Sequence, residues 1–359
     1  LRIFTIIVVG IYDLCVIIII TKMKYNFYAG PAILPREVIE EAAQAVLEFN
    51  GMGFSLLEIS HRSKEFIAVM DEAVALVKEL LHIGDEHEVL FLSGGASSQF
   101  YMAPMNLLDE STKAAYTDTG TWASKAIKDG GLYGQVDVIA SSKDKNYSYI
   151  PKGYDIDASY RYLHLTSNNT IFGTQYQTFP ETSVPLVCDM SSDIFSREID
   201  INRFDLIYAG AQKNMGPAGT TLVIVRKSAL GKVSRKIPAM LKYENHIEAG
   251  SMYNTPPVFP VYVSMLTLRW IKKNGGVAGM QRANEEKATL LYNEIDRNSL
   301  FYSPTNLEDR SRMNVCFLLH NSELEKEFLT KCKDAGCIGL EGHRSVGGFR
   351  ASIYNAMSL

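Results

Sequence analysis

The chain reads as an α/β protein. It predicts a large domain with a mostly parallel, seven-stranded sheet flanked by helices, followed by a smaller α+β domain. Three observations carry this. Seven short apolar runs, each of strand length, alternate with helical or loop stretches. Small-residue or polar turns follow several of them, which places polar side chains at strand ends, where ligands of such sheets bind. From Val258 the texture changes to long helices, one strand and a Gly-rich end.

The elements follow in order. Pro35 opens a helical pattern, with Val38, Ile39, Ala42, Ala43, Val46 and Leu47 recurring on one face. A second helix is expected from about Ser63 to Leu81, with Phe66, Ile67, Met70, Val74, Val77 and Leu81 inward. The seven strands are expected at Val89–Leu92, Ala114–Thr117, Val136–Ile139, Tyr162–Leu165, Leu186–Cys188, Leu206–Tyr208 and Thr221–Val225. The second part holds helices at about Val261–Lys273, Val277–Arg297 and Leu324–Ala335 and a strand at Asn314–Leu319. The expected division is 1–22 as an extension, 23–260 as the large domain and 261–359 as the small one, with the first residues of the large domain packing on the small one.

A chain of 359 residues has room for two domains. Its net charge of -4 gives no electrostatic reason to expect nucleic acid. Cys15, Cys188, Cys316, Cys332 and Cys337 are scattered and form no CxxC pair, so neither a disulfide framework nor a metal site is indicated. A reducing cytoplasm fits best. Ile3–Ile20 is almost wholly apolar and near the length of a membrane span, with Arg2 and Lys22 flanking it. It lacks a cleavage site of the A-x-A kind. Because Met23 directly precedes globular-looking sequence, the expectation is that Leu1–Lys22 is translated upstream sequence; a membrane anchor is the alternative.

Lys213 stands between two apolar runs in LIYAGAQKNMGPAGTTLVIV, Leu206–Val225. A lysine held at a strand end can be desolvated, which lowers its pKa and makes it a nucleophile. Alone, it reads as an ordinary strand cap. Asp189 ends the run PLVCD, as a turn residue or as an acid facing a ligand. The turn Ser93–Ser98, between a strand and a helix, can hold a phosphate through its amides and the hydroxyls of Ser97 and Ser98, or be a plain turn. Trp122 follows another strand and can stack on a flat ring or fill the core. Together these are the parts of a pyridoxal phosphate (PLP) site: a lysine for the aldehyde, an acid for the pyridine nitrogen, a phosphate turn and a ring platform. His61 and Arg62, and His343, Arg344 and Arg350, are basic clusters in loops, suited to an anionic substrate or to solvation.

Several longer motifs carry a resemblance. YNFYAGPA (Tyr25–Ala32), LEISHRSKEF (Leu57–Phe66), GGASSQF (Gly94–Phe100), DTGTWASKA (Asp118–Ala126), AGAQKNMGPAG (Ala209–Gly219), MYNTPP (Met252–Pro257) and GGFRASIYNAM (Gly347–Met357) occur in order over Met23–Leu359. The chain resembles the phosphoserine aminotransferases, class V PLP enzymes of fold type I. The resemblance implies that Lys213 is the Schiff-base lysine and proton shuttle, that Asp189 pairs with the pyridine nitrogen, that Trp122 stacks on the ring and that Thr170 bonds the ring hydroxyl. It implies Ala96, Ser97 and Gln212 as phosphate ligands, joined by Asn254 and Thr255 from the other subunit of a homodimer with a shared site. It implies His61, Arg62, His343, Arg344 and Arg350 as anchors for anionic substrates.

The implied reaction takes the amino group of L-glutamate to 3-phosphohydroxypyruvate, giving O-phospho-L-serine and 2-oxoglutarate in serine biosynthesis. The pyridoxine-pathway substrate 4-phosphohydroxy-L-threonine is a related candidate. Ser97 departs from those members that carry arginine there. The family also continues past ASIYNAM into a final helix, so a truncated chain is expected. Another class V aminotransferase and a non-catalytic or inactive member of the fold are the alternatives.

Overall fold

The computed structural model describes residues 24–359, so the expectations for Leu1–Lys22 lie outside the described residues. Among the described residues no helix is long and apolar enough to cross a membrane. The larger part begins with α1 (Arg36–Leu47) and α2 (Lys64–Leu80). Strands and helices then alternate: β1 (His87–Leu92), α3 (Gly95–Leu107), β2 (Lys113–Asp118), α4 (Thr121–Gly130), β3 (Gln135–Ser141), β4 (Leu163–Thr166), β5 (Leu186–Asp189), β6 (Phe204–Gly210) and β7 (Thr221–Arg226).

These strands form one seven-stranded sheet in the order β1-β7-β6-β5-β4-β2-β3. Neighbours from β6 through β3 pair in parallel, whereas β7 runs antiparallel to both β1 and β6. The period-2 alternation of each strand serves both faces of the sheet. Leu90 and Leu92 enter one apolar cluster while Val89 and Phe91 enter the other, and β6 and β7 divide in the same way.

Helix α1 buries Val38, Ala42 and Ala45, and leaves Ile39, Ala43 and Leu47 exposed. The expected apolar face is therefore rotated. The reason is that α1 and α2 both pack on α5 (Val258–Lys273), which selects the side of each helix that meets it. Helix α2 likewise buries Val69, Ala73, Leu76 and Leu80 beside Phe66, Met70 and Val77, and leaves Ile67 exposed. Ser63 caps α2, its hydroxyl accepting from the Phe66 amide at 3.3 Å.

The expected division at 260/261 cuts across this packing. Side chains from Val261 to Met280 join the larger core, and the separate cluster begins at Ala288. That second cluster joins α6 (Gly276–Arg297), β8 (Asn314–Leu319), α7 (Glu325–Asp334) and β9 (Phe349–Ser352). Strand β8 lies between Phe301–Tyr302 and β9, antiparallel to both. The first described residues close onto this part: Tyr25 and Asn26 pair with Cys337 and Ile338, and Phe27 and Ile33 pack on its core.

Phe66 is fully enclosed in the larger core. Phe66→Ala is expected to lower unfolding free energy by about 3–5 kcal/mol, read from denaturant midpoints at unchanged slope.

Candidate active site

Gly210 ends β6, and residues 211–220 return the chain antiparallel into β7, with Gly210 opposite Thr221. The Ala211 carbonyl pins this loop by accepting from the amides of Lys213 (2.8 Å), Met215 (3.2 Å) and Gly216 (2.9 Å). Lys213 is therefore presented at the C-terminal edge of the parallel strands. Its Nζ donates to Thr170 Oγ1 at 2.9 Å. Burial lowers its pKa to about 8; the charges of Asp189 and Asp193 oppose that shift and Arg350 adds to it.

Asp189 ends β5, beside β6, and is buried. Its Oδ1 accepts from the Ser191 amide at 2.9 Å, so it also makes the turn expected of a strand-end aspartate. Burial raises its pKa, against the pull of Ser191 and of the Lys213 charge. Thr170 sits at the tip of a hairpin in which Asn168 and Asn169 pair with Gln175 and Thr174. Arg350, on β9, donates from Nη1 to the Thr170 carbonyl at 3.4 Å, and its Nε is buried without a partner. The structure thus gathers Lys213, Asp189, Thr170 and Arg350 around one point.

The loop before α1 completes the wall. The Ala32 amide donates to the Gln212 carbonyl at 2.9 Å. Gly30 has φ +139°, and a Cβ there would approach Lys213 Cγ to 3.3 Å. Glycine therefore allows this backbone to lie against the lysine stem.

Helix α3 starts at Gly95, after Gly94 and with no side-chain cap, so amides of its first turn point outward. Ala96 is half-buried and Ser97 exposed there. The Ser98 hydroxyl differs from expectation: it donates its proton to the Gly95 carbonyl at 2.8 Å, inside its own turn. Gln212 is half-buried on the lysine loop. Asn254 and Thr255 are exposed and line a cavity of about 200 Å³ with Ser93, Gly94 and Ser98. Trp122 lies in the first turn of α4; its Nε1 is buried without a partner, and the Lys125 ammonium lies 4.5 Å from its ring centroid.

Among the described residues, no hydrogen bond joins the remaining basic residues to Lys213. His61 and Arg62 occupy the turn before α2, half-buried and exposed respectively. Arg344 is exposed. His343 shares a 2.7 Å hydrogen bond between its Nδ1 and Ser345 Oγ, and burial, then the charges of Arg350 and Arg344, lowers its pKa.

Sequence reasoning missed the polar layer beneath the site. The Asn168 amide donates to Ser192 Oγ and to Asn314 Oδ1, both at 2.8 Å. The Asn314 amide donates to Ser352 Oγ at 3.0 Å and Tyr354 Oη at 3.1 Å, and Tyr354 donates to the Ala29 carbonyl at 2.8 Å. Asp193 was missed too, although DMSSD displays a second acid four residues after Asp189.

The family described as class-V aminotransferase matches residues 24–359. A phosphoserine aminotransferase of Flavobacterium johnsoniae is 63% identical, covering 94% of this chain and 95% of its own. Among solved structures, the phosphoserine aminotransferase from Bacillus circulans subsp. alkalophilus superposes with a TM-score of 0.91 at 48% identity, covering 94% of both chains. The PLP-bound enzyme from Trichomonas vaginalis superposes at 0.88 and 35% identity, covering 93% of this chain and 96% of its own.

The donor set fits that cofactor. A half-buried lysine with a weakened base strength suits an aldehyde, a buried carboxylate suits a pyridine nitrogen, and an uncapped helix start suits a phosphate.

In the cofactor-free protein, the Lys213 charge is unfavourable wherever the folded state must carry it. The unfolded chain keeps the ordinary lysine value, so this penalty is full below about pH 8 and fades as pH rises toward about 10.5. Lys213→Met is expected to be more stable than the parent by about 2–3 kcal/mol at pH 7, with the gap narrowing above pH 8, read from denaturant titrations at each pH.

Proposed function

The chain belongs to the class-V aminotransferases, and from that membership we propose that it transfers the amino group of L-glutamate to 3-phosphohydroxypyruvate, yielding O-phospho-L-serine and 2-oxoglutarate. It is a PLP-dependent transaminase. The observation that carries the reading is the half-buried Lys213, its pKa lowered to about 8 by desolvation of the amine and its Nζ held by Thr170.

When bound, PLP supplies an electron sink for the negative charge that develops at the substrate α-carbon. The protein's own groups do the rest. The Lys213 amine takes the α-proton and returns it, a task for which a pKa near the working pH is suited. Thr170 Oγ1 orients that amine. Asp189, buried at the end of β5, would hold a proton on the pyridine nitrogen, and Trp122 would pack against the ring. Ala96, Ser97 and Gln212 would hold the phosphate, with the first-turn amides of α3. Arg350 takes a substrate carboxylate, and its unpartnered Nε supports that role. His343 and Arg344 stand on the same Gly-rich segment and receive the second anionic group.

The working form is a homodimer in which Asn254, Thr255, His61 and Arg62 serve the other subunit's site. Large apolar residues exposed beside them support this: Phe54, Leu57 and Ile67 near His61 and Arg62, and Tyr253 next to Asn254. A cytoplasmic setting agrees with free thiols at Cys188, Cys316, Cys332 and Cys337.

The purified protein is expected to be yellow and to form O-phosphoserine from glutamate and 3-phosphohydroxypyruvate, with little turnover of unphosphorylated hydroxypyruvate. Lys213→Ala is expected to reduce turnover more than about 10³-fold, and an active Lys213→Ala variant would sink the assignment.

Sharing of the site has its own test. Lys213→Ala and Arg62→Ala are each inactive alone, but a mixed dimer retains one intact site. Random exchange of equal amounts is expected to restore about a quarter of the parent rate. Exchange without recovery, with mixed dimers confirmed by native mass spectrometry, would place Arg62 in its own subunit's site.

A further inference from the structure

We propose that Tyr147 is a positioning residue for the cofactor ring, its side chain setting where Trp122 and Thr170 stand relative to each other. This rests on the PLP reading of the site. Tyr147 lies in the long connection from β3 to β4. Its φ is +58°, and that of Asn146 before it is +49°. Asparagine enters the left-handed region readily, but a bulky aromatic residue there is strained. Such strain persists only where the surroundings impose it, and it concentrates at functional sites.

Two elements of the site surround this side chain. The Tyr147 amide donates to the Ser142 carbonyl at 2.8 Å, and the Ser142 amide donates to the Asp118 carbonyl at 3.1 Å, which moors the loop to the end of β2. The Tyr147 hydroxyl donates to Asp118 Oδ2 at 3.2 Å. Asp118 Oδ1 accepts from the Ser124 hydroxyl at 2.7 Å, and Ser124 stands with Trp122 in the first turn of α4. The Tyr147 ring packs on Phe172, with centroids 4.8 Å apart and planes inclined at 55°. Phe172 belongs to the turn of the Thr170 hairpin, its amide donating to the Asn169 carbonyl at 3.2 Å.

The two elements also touch each other. A Cβ on Gly120, just before α4, would stand 2.8 Å from Asn169 Oδ1 and 3.2 Å from Phe172 Cδ2, so the helix start and the hairpin meet with no room to spare. Tyr147 bonds the helix side of that contact through Asp118 and packs its ring on the hairpin side. Glycine or asparagine would make the same left-handed turn without strain, so turning the chain is no reason for a tyrosine here. The reach of its side chain to both elements is. From the hairpin the placement passes to Thr170, whose hydroxyl accepts from Lys213 Nζ at 2.9 Å. From the helix start it passes to Trp122.

The test is titration of the full-length, cofactor-free protein with PLP, followed by visible absorbance and circular dichroism. Free PLP is achiral, so ellipticity in its visible band reports how the protein places it. Tyr147→Ala is expected to raise the PLP dissociation constant about tenfold and to change the ellipticity per bound cofactor at saturation. Tyr147→Phe keeps the contact with Phe172 and is expected to recover part of both. Tyr147→Gly accepts the backbone conformation without strain, is expected to bind as weakly as Tyr147→Ala, and carries the test if the alanine variant does not fold. A merely structural role would lower the melting temperature and leave the dissociation constant and the ellipticity at parent values. That result in a folded Tyr147→Ala or Tyr147→Gly variant overturns the proposal alone. A parent that takes up no PLP overturns the reading of the site with it, so the two failures are distinguishable.

Discussion

Enclosure of the Lys213 amine is the constraint on which the rest of the site depends. Removing an ammonium from water is costly, and the fold offsets that cost with a hydroxyl from one hairpin and carboxylates from the β5 end. Each support belongs to a different element, so the elements must meet at one edge of the sheet. The strand order achieves this. Inserting β7 antiparallel between β1 and β6 makes the β6–β7 connection a short loop instead of a crossover helix. That loop carries the lysine beside the β5 end that carries Asp189.

The smaller part is tied to the same point by buried hydrogen bonds more than by apolar contact. Asn168, Asn314 and Tyr354 form a continuous chain from the Thr170 hairpin through β8 to the Ala29 loop. Such a layer is stable only when its members find partners, and Ser311 and Ser352 occupy the remaining positions. One consequence is that the strand bearing Arg350 has a fixed relation to the hairpin bearing Thr170. Another is that the Gly30 backbone is held against the lysine stem from both sides, through Ala32 and Ala29.

Much of this was legible in the sequence because strand positions depend on short local runs. All seven strands and the three later helices α5, α6 and α7 lie where apolar periodicity puts them. Lys213, Asp189 and Thr170 were legible through motifs, and the structure brings them together. What was not legible was set by partners distant in the chain. Ile39 and Ile67 fit a helical apolar stripe, but α5 selected a neighbouring stripe for burial. The Ser98 hydroxyl was available in composition, yet the helix start beside it claimed it. Asn168 and Asn314 are 146 residues apart, and no local pattern marks two asparagines as a pair.

Arg350 connects the binding of substrate to the chemistry of the lysine. Its guanidinium is one of the charges that weakens the Lys213 amine as a base. On our reading of Arg350 as a carboxylate anchor, substrate binding places a negative charge on that guanidinium and cancels part of its effect at Lys213. The amine then gains proton affinity when a substrate is in place to give up a proton, and loses it when the carboxylate departs. By linkage the converse holds: a proton on Lys213 strengthens the retention of an anion nearby. The same two carboxylates that compensate for burial set the range in which this coupling operates. A lysine left at its ordinary pKa would stay protonated throughout, and one depressed much further would not hold the proton it takes. The value near 8 is therefore set mainly by burial of the amine, which lowers it, with charges on β5 and its following turn opposing that shift and the charge on β9 adding to it.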